Sequence, residues 1–463
     1  MSGEPNLVDA LESLSQLACA VTSEEDAQGS LHSGKELRLC WICETFEYTE
    51  HGVKSQLKGT SAIKETWHTA SLHVRGLLKD SEEWGSAVDV IAGILNDRER
   101  AERATEAFVS TLLRVLLEEE QWEQAALKRV VEDFSHELAG NPVGYRLQAE
   151  MGGLIMLGSP IQLTCEGMEI SIRRTVQEDL ETEETAFTSS GTHPASYPSA
   201  IVSLHSPSND SGAVQEGLRR LEAALRLYEV GSVDVYSWQG SSTSLVDMPA
   251  GKVIHRKKPR PDVEKAILRD RDSERLTAFL KHIVPMVPDS FFTPNLPNPE
   301  PSAIAYTRYC DALFATNPYE YRMPNAIISL EALLLEAGGG QELSFKLCAR
   351  AGRLLSHFGE DAVVIRDCLR LAYHIRSRYV HGGLASKKDN SKVLRAHGSI
   401  AIFSRAVLDC VRKVLLIMVQ LPDAKDALLQ AIDAAFVQGC FEDAVTKQLD
   451  ALAEPPRAFK GHP

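Results

Sequence analysis

Apolar residues recur at Cys368, Ala372, Ile375 and Tyr379, the i, i+4, i+7, i+11 spacing of an amphipathic helix, and Gly382-Gly383 follows at once. No other stretch constrains the chain as much. The spacing predicts a helix within IRDCLRLAYHIRSRYVHGGL (365–384) with one face buried, and glycine, which readily takes the left-handed backbone, supplies its stop. The last turn then carries Arg376, Arg378 and His381. Such a basic cluster is poor core material and suits an anion.

The rest of the chain sorts around this helix. Residues 7–20 read as a short amphipathic helix, 37–48 as a strand, and 66–139 as packed helices ending at Gly140, where Leu112, Val115 and Leu116 face inward and Glu118 to Glu120 outward. Between 152 and 174, short apolar runs broken by Gly-Ser-Pro and Glu-Gly predict two or three strands with tight turns. Residues 181–199 are polar and predict an exposed loop or linker; a strand (AIVSLHS), a helix (AVQEGLRRLEAALRLYEV) and a strand (SVDVYSW) follow. A proline-rich stretch over 285–303 predicts a domain boundary, and beyond it the pattern is helical to about 437. The fold class expected is α+β, mostly α. It comprises a mainly helical region 1–145, a mixed α/β region 146–290, a helical bundle over 300–440 and a tail 441–463, disordered from Glu454.

Composition excludes several classes. No apolar run approaches the roughly 18 residues that span a bilayer, and the amino terminus lacks a basic region before an apolar core, so a cytoplasmic chain without a membrane partner is expected. Nine cysteines scattered singly imply reduced core thiols rather than a disulfide framework. A net charge of −15 argues against the whole surface coating nucleic acid. The charge is uneven, however: residues 341–415 hold 14 Lys/Arg against 6 Asp/Glu. That local excess is either an electrostatic footprint for RNA or DNA or a solvated helix surface.

The remaining motifs are weak. Cys40-Trp-Ile-Cys43 is a lone CxxC lying mid-strand; a zinc site would need further ligands, for which only His32 and His51 stand near, and two buried thiols are the simpler reading. HRKKPRP at 255–261 either touches phosphate or forms an exposed loop. Nucleotide-binding glycine loops, HExxH and GxSxG are absent, so neither a metal nor a cofactor is expected. Around the central helix, His374, Arg378 and His381 share one face, while Arg376 lies about 140° from His381 on a regular helix. If the helix loosens near His381, Arg376 joins it in one site; alternatively a second subunit brings its own copy. The plain structural alternative is that Arg376 pairs with an acid such as Glu331 and His381 caps the helix.

Arg376-Ser-Arg-Tyr-Val-His381 resembles the Arg, four-to-six residues, His motif of the HEPN superfamily. The wider pattern resembles the Apea-like HEPN branch: AIISLEALLLE with Glu331, ELSFKLCARAGRLL with Lys346 and Arg350, then LRLAYHIRSRYVHGG with Tyr379. The resemblance covers about residues 300–440. It implies a HEPN-type bundle that homodimerises and a composite, metal-independent endoribonuclease site at the dimer interface. In that setting Arg376 and His381 are the catalytic pair, with Ser377, Arg378, Lys387 and Lys388 as RNA contacts. Glu331, Lys346, Arg350 and Tyr379 are structural or supporting residues. Where many active members carry Asn, Asp or His after the arginine, this chain has Ser377.

RNA supplies its own nucleophile, the 2′-hydroxyl, so the protein need only move protons and stabilise charge. Histidine suits proton transfer near neutral pH, and arginine's planar fork suits two phosphate oxygens. The products expected are a 2′,3′-cyclic phosphate and a 5′-hydroxyl end. The resemblance further implies a substrate such as transfer RNA and an anti-phage or toxin-like role. Residues 1–290 would then receive a protein or phage-derived trigger. Its rival is a catalytically inactive HEPN scaffold or RNA-binding protein.

Overall fold

A computed structural model describes residues 6–31, 34–118, 124–140, 143–180, 182–185, 198–244, 246, 253–256, 264–293, 299–336, 342–383, 386–422 and 424–452. The fold is α+β and mostly helical. Among these residues no helix is long and apolar enough to cross a membrane.

The N-terminal layer holds helices α1 (Leu7–Ala27), α2 (His68–Lys79), α3 (Glu82–Leu95), α4 (Arg98–Leu113), which runs into a π-helical turn, and α5 (Gln124–Leu138). Their apolar stripes close a core of their own around Leu11, Leu14, Ile91, Phe108 and Phe134. Between α1 and α2 lie two long paired strands, β1 (Gly34–Thr49) and β2 (Gly52–Thr66). Tyr48 ties this hairpin to the middle region, donating to the Ser199 carbonyl at 2.7 Å and accepting from the Met156 amide at 2.8 Å.

The middle region is an antiparallel sheet. Its strands are β3 (Tyr145–Gly152), β5 (Ile161–Cys165), β6 (Met168–Arg174), β8 (Ala200–Ser206), β9 (Asp234–Ser242) and β10 (Val253–Arg256), in the spatial order β10-β9-β3-β8-β6-β5. β4 (Leu154–Met156) pairs in parallel with β11 (Ala266–Leu268). β5 alternates buried and exposed along its length, as a half-buried strand must. Helices α6 (Ser211–Tyr228) and α7 (Ser273–Ile283) cover one face; α6 buries Val214, Leu218, Leu221 and Leu225, the stripe of a one-sided helix.

Part of the stretch expected as a linker is strand: β7 (Thr182–Thr185) pairs with β1, from Arg38 opposite Thr185 to Trp41 opposite Thr182. Two β-branched threonines in four residues suit an edge strand. Residues 186–197, most of the basic run 257–261, His32 and the chain after 452 lie outside the described residues.

The C-terminal bundle comprises α8 (Pro301–Phe314), α9 (Met323–Leu334), α10 (Leu343–Ser356), α11 (Ala362–Val380), α12 (Lys387–His397), α13 (Ile400–Gln420), α14 (Lys425–Gln438) and α15 (Asp443–Asp450). The stretch from 441 expected as tail therefore begins with a helix, and Phe441, Leu449 and Leu452 are buried. The core does not divide at the proline-rich stretch. One cluster runs from β3 to α15, and Phe291 stacks on Tyr306 with ring centroids 4.2 Å apart.

Charged side chains cross the same seam. Buried Arg226 of α6 donates to the Val233 carbonyl at 2.8 Å and the Tyr306 hydroxyl at 3.1 Å, and pairs with Glu222 at 2.8 Å. From α13, Arg412 reaches the Leu227 and Tyr228 carbonyls, while Arg405 pairs with Glu229 at 2.8 Å and Glu264 at 3.1 Å. Arg322, just before α9, pairs with Glu264 at 2.9 Å.

A shared core and a shared ionic seam should make sheet and bundle open together. Arg226→Ala removes the guanidinium that faces the Glu222 and Asp234 carboxylates in a buried site, at a cost of about 3–5 kcal/mol. Hydrogen exchange should then show β3, β8 and α13 losing protection by the same free energy. A loss confined to the sheet would contradict this.

Candidate functional site

Helix α11 is placed by its buried stripe, Ile365, Cys368, Leu369, Ala372 and Ile375, and started by Asp361, whose carboxylate accepts from the Val363 and Val364 amides at 2.8 and 3.1 Å. Its far end stays regular. The His381 amide still donates to the Ser377 and Arg378 carbonyls at 3.2 Å. Gly382 then turns left-handed with φ +78°, its amide meeting the Tyr379 carbonyl at 2.9 Å, while Gly383 N–H reaches the Arg378 carbonyl at 2.8 Å. This pair of closing bonds is a Schellman stop.

Regularity decides where the two motif residues go. With helical hydrogen bonding kept through His381, Arg376 and His381 remain about 140° apart around α11. The loosened end that would bring them together within one chain does not occur. Arg376 turns toward α9, where its Nη2 pairs with Glu331 Oε2 at 3.0 Å, and its guanidinium lies over the Tyr373 ring at 5.6 Å. Its Nε is buried and has no hydrogen-bond partner among the described residues. Burial pushes the Glu331 carboxyl above its ordinary range, with Arg376 and a Tyr373 hydrogen bond opposing.

The other flank of α11 meets α12. Asp389, almost fully buried, lies 3.6 Å from both His374 Nε2 and Arg378 Nε. It also closes a capping box with Ser386, which donates through its amide at 3.0 Å and its hydroxyl at 2.5 Å. Burial raises this carboxyl, but Ser386, His374 and Arg378 outweigh it, and the net direction is downward.

His381 caps the helix through its backbone while its imidazole is exposed, and among the described residues that ring has no partner. Lys387 and Lys388 are likewise exposed and unpaired, and Ser377 is half-buried. Tyr379 meets the Tyr321 ring edge-on, with centroids 6.4 Å apart.

The other expected residues serve elsewhere. Arg350 is 1% exposed and binds Asp433 at 2.6 and 2.8 Å, Glu336 at 2.7 and 3.2 Å and the Leu334 carbonyl at 2.7 Å, tying α9, α10 and α14 together. Lys346 is exposed on α10. Cys43 is buried and donates to the Thr45 carbonyl; the Cys40 side chain lies outside the described residues. Among the described residues, no three His, Cys, Asp or Glu side chains gather as a metal would require.

A separate groove of about 1090 Å³ opens on the sheet face that carries Arg146, Gln148, Ser203, His205 and Gln239. Sequence reasoning gave no sign of it, because its polar residues alternate with core residues on strands. Comparison of the chain with family models, curated proteins and solved structures finds no match.

Two outcomes follow from these pairs. A double-mutant cycle on Glu331→Ala and Arg376→Ala, read by urea unfolding, should return a coupling of about 1–2 kcal/mol; additivity would show the ion pair to be idle. Separately, Arg350 hydrogen bonds lower Glu336 to about 2. A depressed carboxyl stabilises the fold above its unfolded pKa of about 4.3, and that contribution is lost as pH falls through about 2. Wild type should therefore lose stability between those limits more steeply than Glu336→Gln, and parallel curves would contradict the assignment.

Proposed function

We propose that the C-terminal bundle is a HEPN-type, metal-independent endoribonuclease working as a dimer in the cytoplasm. The observation that carries this reading is the exposed imidazole of His381 at the end of α11, without a partner among the described residues, five residues after Arg376 and followed by Lys387 and Lys388. This cationic stretch belongs to a chain of net charge −15.

Because Arg376 and His381 diverge around α11, the composite site pairs Arg376 of one chain with His381 of its partner. His381 takes the proton of the 2′-hydroxyl or gives one to the departing 5′-oxygen, and Arg376 neutralises charge gathering on the phosphorus oxygens. Its role needs the guanidinium shared between Glu331 and the phosphate. The first 290 residues would hold the nuclease in check or receive a trigger, protein or phage-derived, in a defence or toxin-like role.

A second reading is favoured by the Arg376–Glu331 ion pair at 3.0 Å. There Arg376 is a packing element, His381 is a helix cap, and the bundle binds RNA or serves as a scaffold without cutting.

Incubation of the purified protein with total and transfer RNA in EDTA, wild type beside His381→Ala, separates the two. The nuclease reading expects cleavage by wild type alone, leaving cyclic phosphates, with a loss of at least about 100-fold in the variant. Uncut RNA with a folded, RNA-binding protein would favour the second reading.

A further inference from the structure

The middle sheet carries a row of polar side chains that its own folding leaves unused. Strand register sets Gln162 of β5 opposite Ser171 of β6, and Ser171 opposite Ser203 of β8. Ser203 in turn lies opposite Gln148 of β3, and Gln148 opposite Gln239 of β9. All five line the groove of about 1090 Å³. Their chain neighbours, Leu147, Leu163, Ile170 and Leu204 among them, belong to the core, so the row points away from it. Among the described residues none of the five side chains has a hydrogen-bond partner, although Gln148, Ser171 and Gln239 are half-buried. None is β-branched or aromatic, the types that a strand face favours. Strand formation gains little from this row, whereas a ligand that both donates and accepts would use all of it.

Chemistry and spacing narrow the ligand. Amide and hydroxyl side chains carry no charge, so the row matches an uncharged chain. In the next row Glu169 faces His205 at 3.4 Å. Arg146 and Lys281 are the cations at the groove that meet no acid among the described residues. Two cations are too few for a phosphate backbone, and no Phe, Tyr or Trp lines the groove to stack a base. Neighbouring strands lie about 4.8 Å apart, so a chain laid across them meets a new hydrogen-bonding side chain at that interval over about 19 Å. An extended peptide turns a side chain to one face about every 6.8 Å and falls out of step. A β-1,4-linked pyranose ribbon advances one ring over nearly the strand spacing, and its hydroxyls donate and accept along both edges.

We propose that this row is a binding site for an uncharged, β-1,4-linked oligosaccharide lying across the strands, one ring to a strand. Arg146, opposite His205 in the adjoining row, adds a planar fork that donates to two neighbouring hydroxyl oxygens. The site belongs to the sheet, and the proposal does not rest on the reading of the bundle as a nuclease.

The test is isothermal titration calorimetry of the full chain with β-1,4-linked oligomers of glucose and of N-acetylglucosamine, two to six rings long. Maltopentaose, whose α-1,4 links curl the chain, is the control. Affinity for at least one β-1,4 series should rise with each ring up to five, level off at six, and hold constant from low to high salt. The curled isomer should bind more weakly than the matching glucose pentamer. Gln148→Ala and Gln239→Ala, which each remove one net hydrogen bond, should weaken the β-1,4 pentamer about fivefold. Neither side chain has a partner among the described residues, and circular dichroism checks that both variants fold.

Failure of both β-1,4 series to bind, an affinity that stops growing at two rings, or an affinity unaltered in both variants would each overturn the proposal. So would RNA held in the groove instead, recognised by an affinity that falls steeply with salt and drops in the same two variants. Oligosaccharide binding by a protein that leaves RNA uncut in EDTA would remove the nuclease and keep the groove.

Discussion

The chemistry open to the C-terminal bundle depends on how α11 ends. Two glycine amides close its last turn on the Arg378 and Tyr379 carbonyls, so the helix holds its pitch through His381. Had the turn unwound earlier, Arg376 could have swung toward His381 and formed a site in a single chain. Because it does not, Arg376 is directed to α9 and Glu331, and His381 is left exposed to solvent. The half-buried ion pair is not itself a strong source of stability, since desolvation offsets much of its attraction. Its effect is directional: it fixes which flank of α11 the guanidinium occupies.

The same use of charge recurs where the bundle meets the sheet. α13 buries fifteen of its residues, including Asp409, Arg412 and Lys413. Arg412 is held by Asp409 at 2.7 Å and donates across to the last turn of α6. Lys413 pairs with Asp409 and with Glu360 just before α11. These contacts link the last turn of α6 to Glu360, just before α11, the helix that carries the candidate site. The N-terminal helical layer keeps a separate core, which Val246 after β9 also joins, and meets the sheet region through Tyr48 of the β1–β2 hairpin and through Glu137 of α5, which accepts from the Ser244 hydroxyl and the Val246 amide.

Much of this was legible in the sequence, and the gaps have physical causes. α11, α9, α10 and α13 announced themselves because each buries a stripe at helical spacing. α12 did not: in KKDNSKVLRAH the buried residues are Val393 and Asp389, and a buried acid leaves no apolar period to read. β2 escaped because GVKSQLKGTSAIKET is polar along most of its length, and β3 because its alternation is diluted by Ala149 and Gly152. The proline-rich stretch read as a boundary because prolines break elements; they do not prevent Phe291 from stacking into a shared core. At the site, the Arg376 and His381 spacing and the possible Glu331 partner could be read directly. Which way each side chain faces could not, because that follows from hydrogen bonds in the final turn. Tyr321 carried no signal beyond being an aromatic ahead of α9.

The central claim is that Arg376 and His381 act across two chains rather than within one. Mixing Arg376→Ala protein with His381→Ala protein tests it most directly. In a twofold dimer, each mixed pair retains one site with an intact arginine and an intact histidine. Half the dimers are mixed and each has one of two sites, so an equal mixture of two inactive proteins should recover about a quarter of the wild-type cleavage rate. No recovery from a mixture shown to contain mixed dimers would contradict the account.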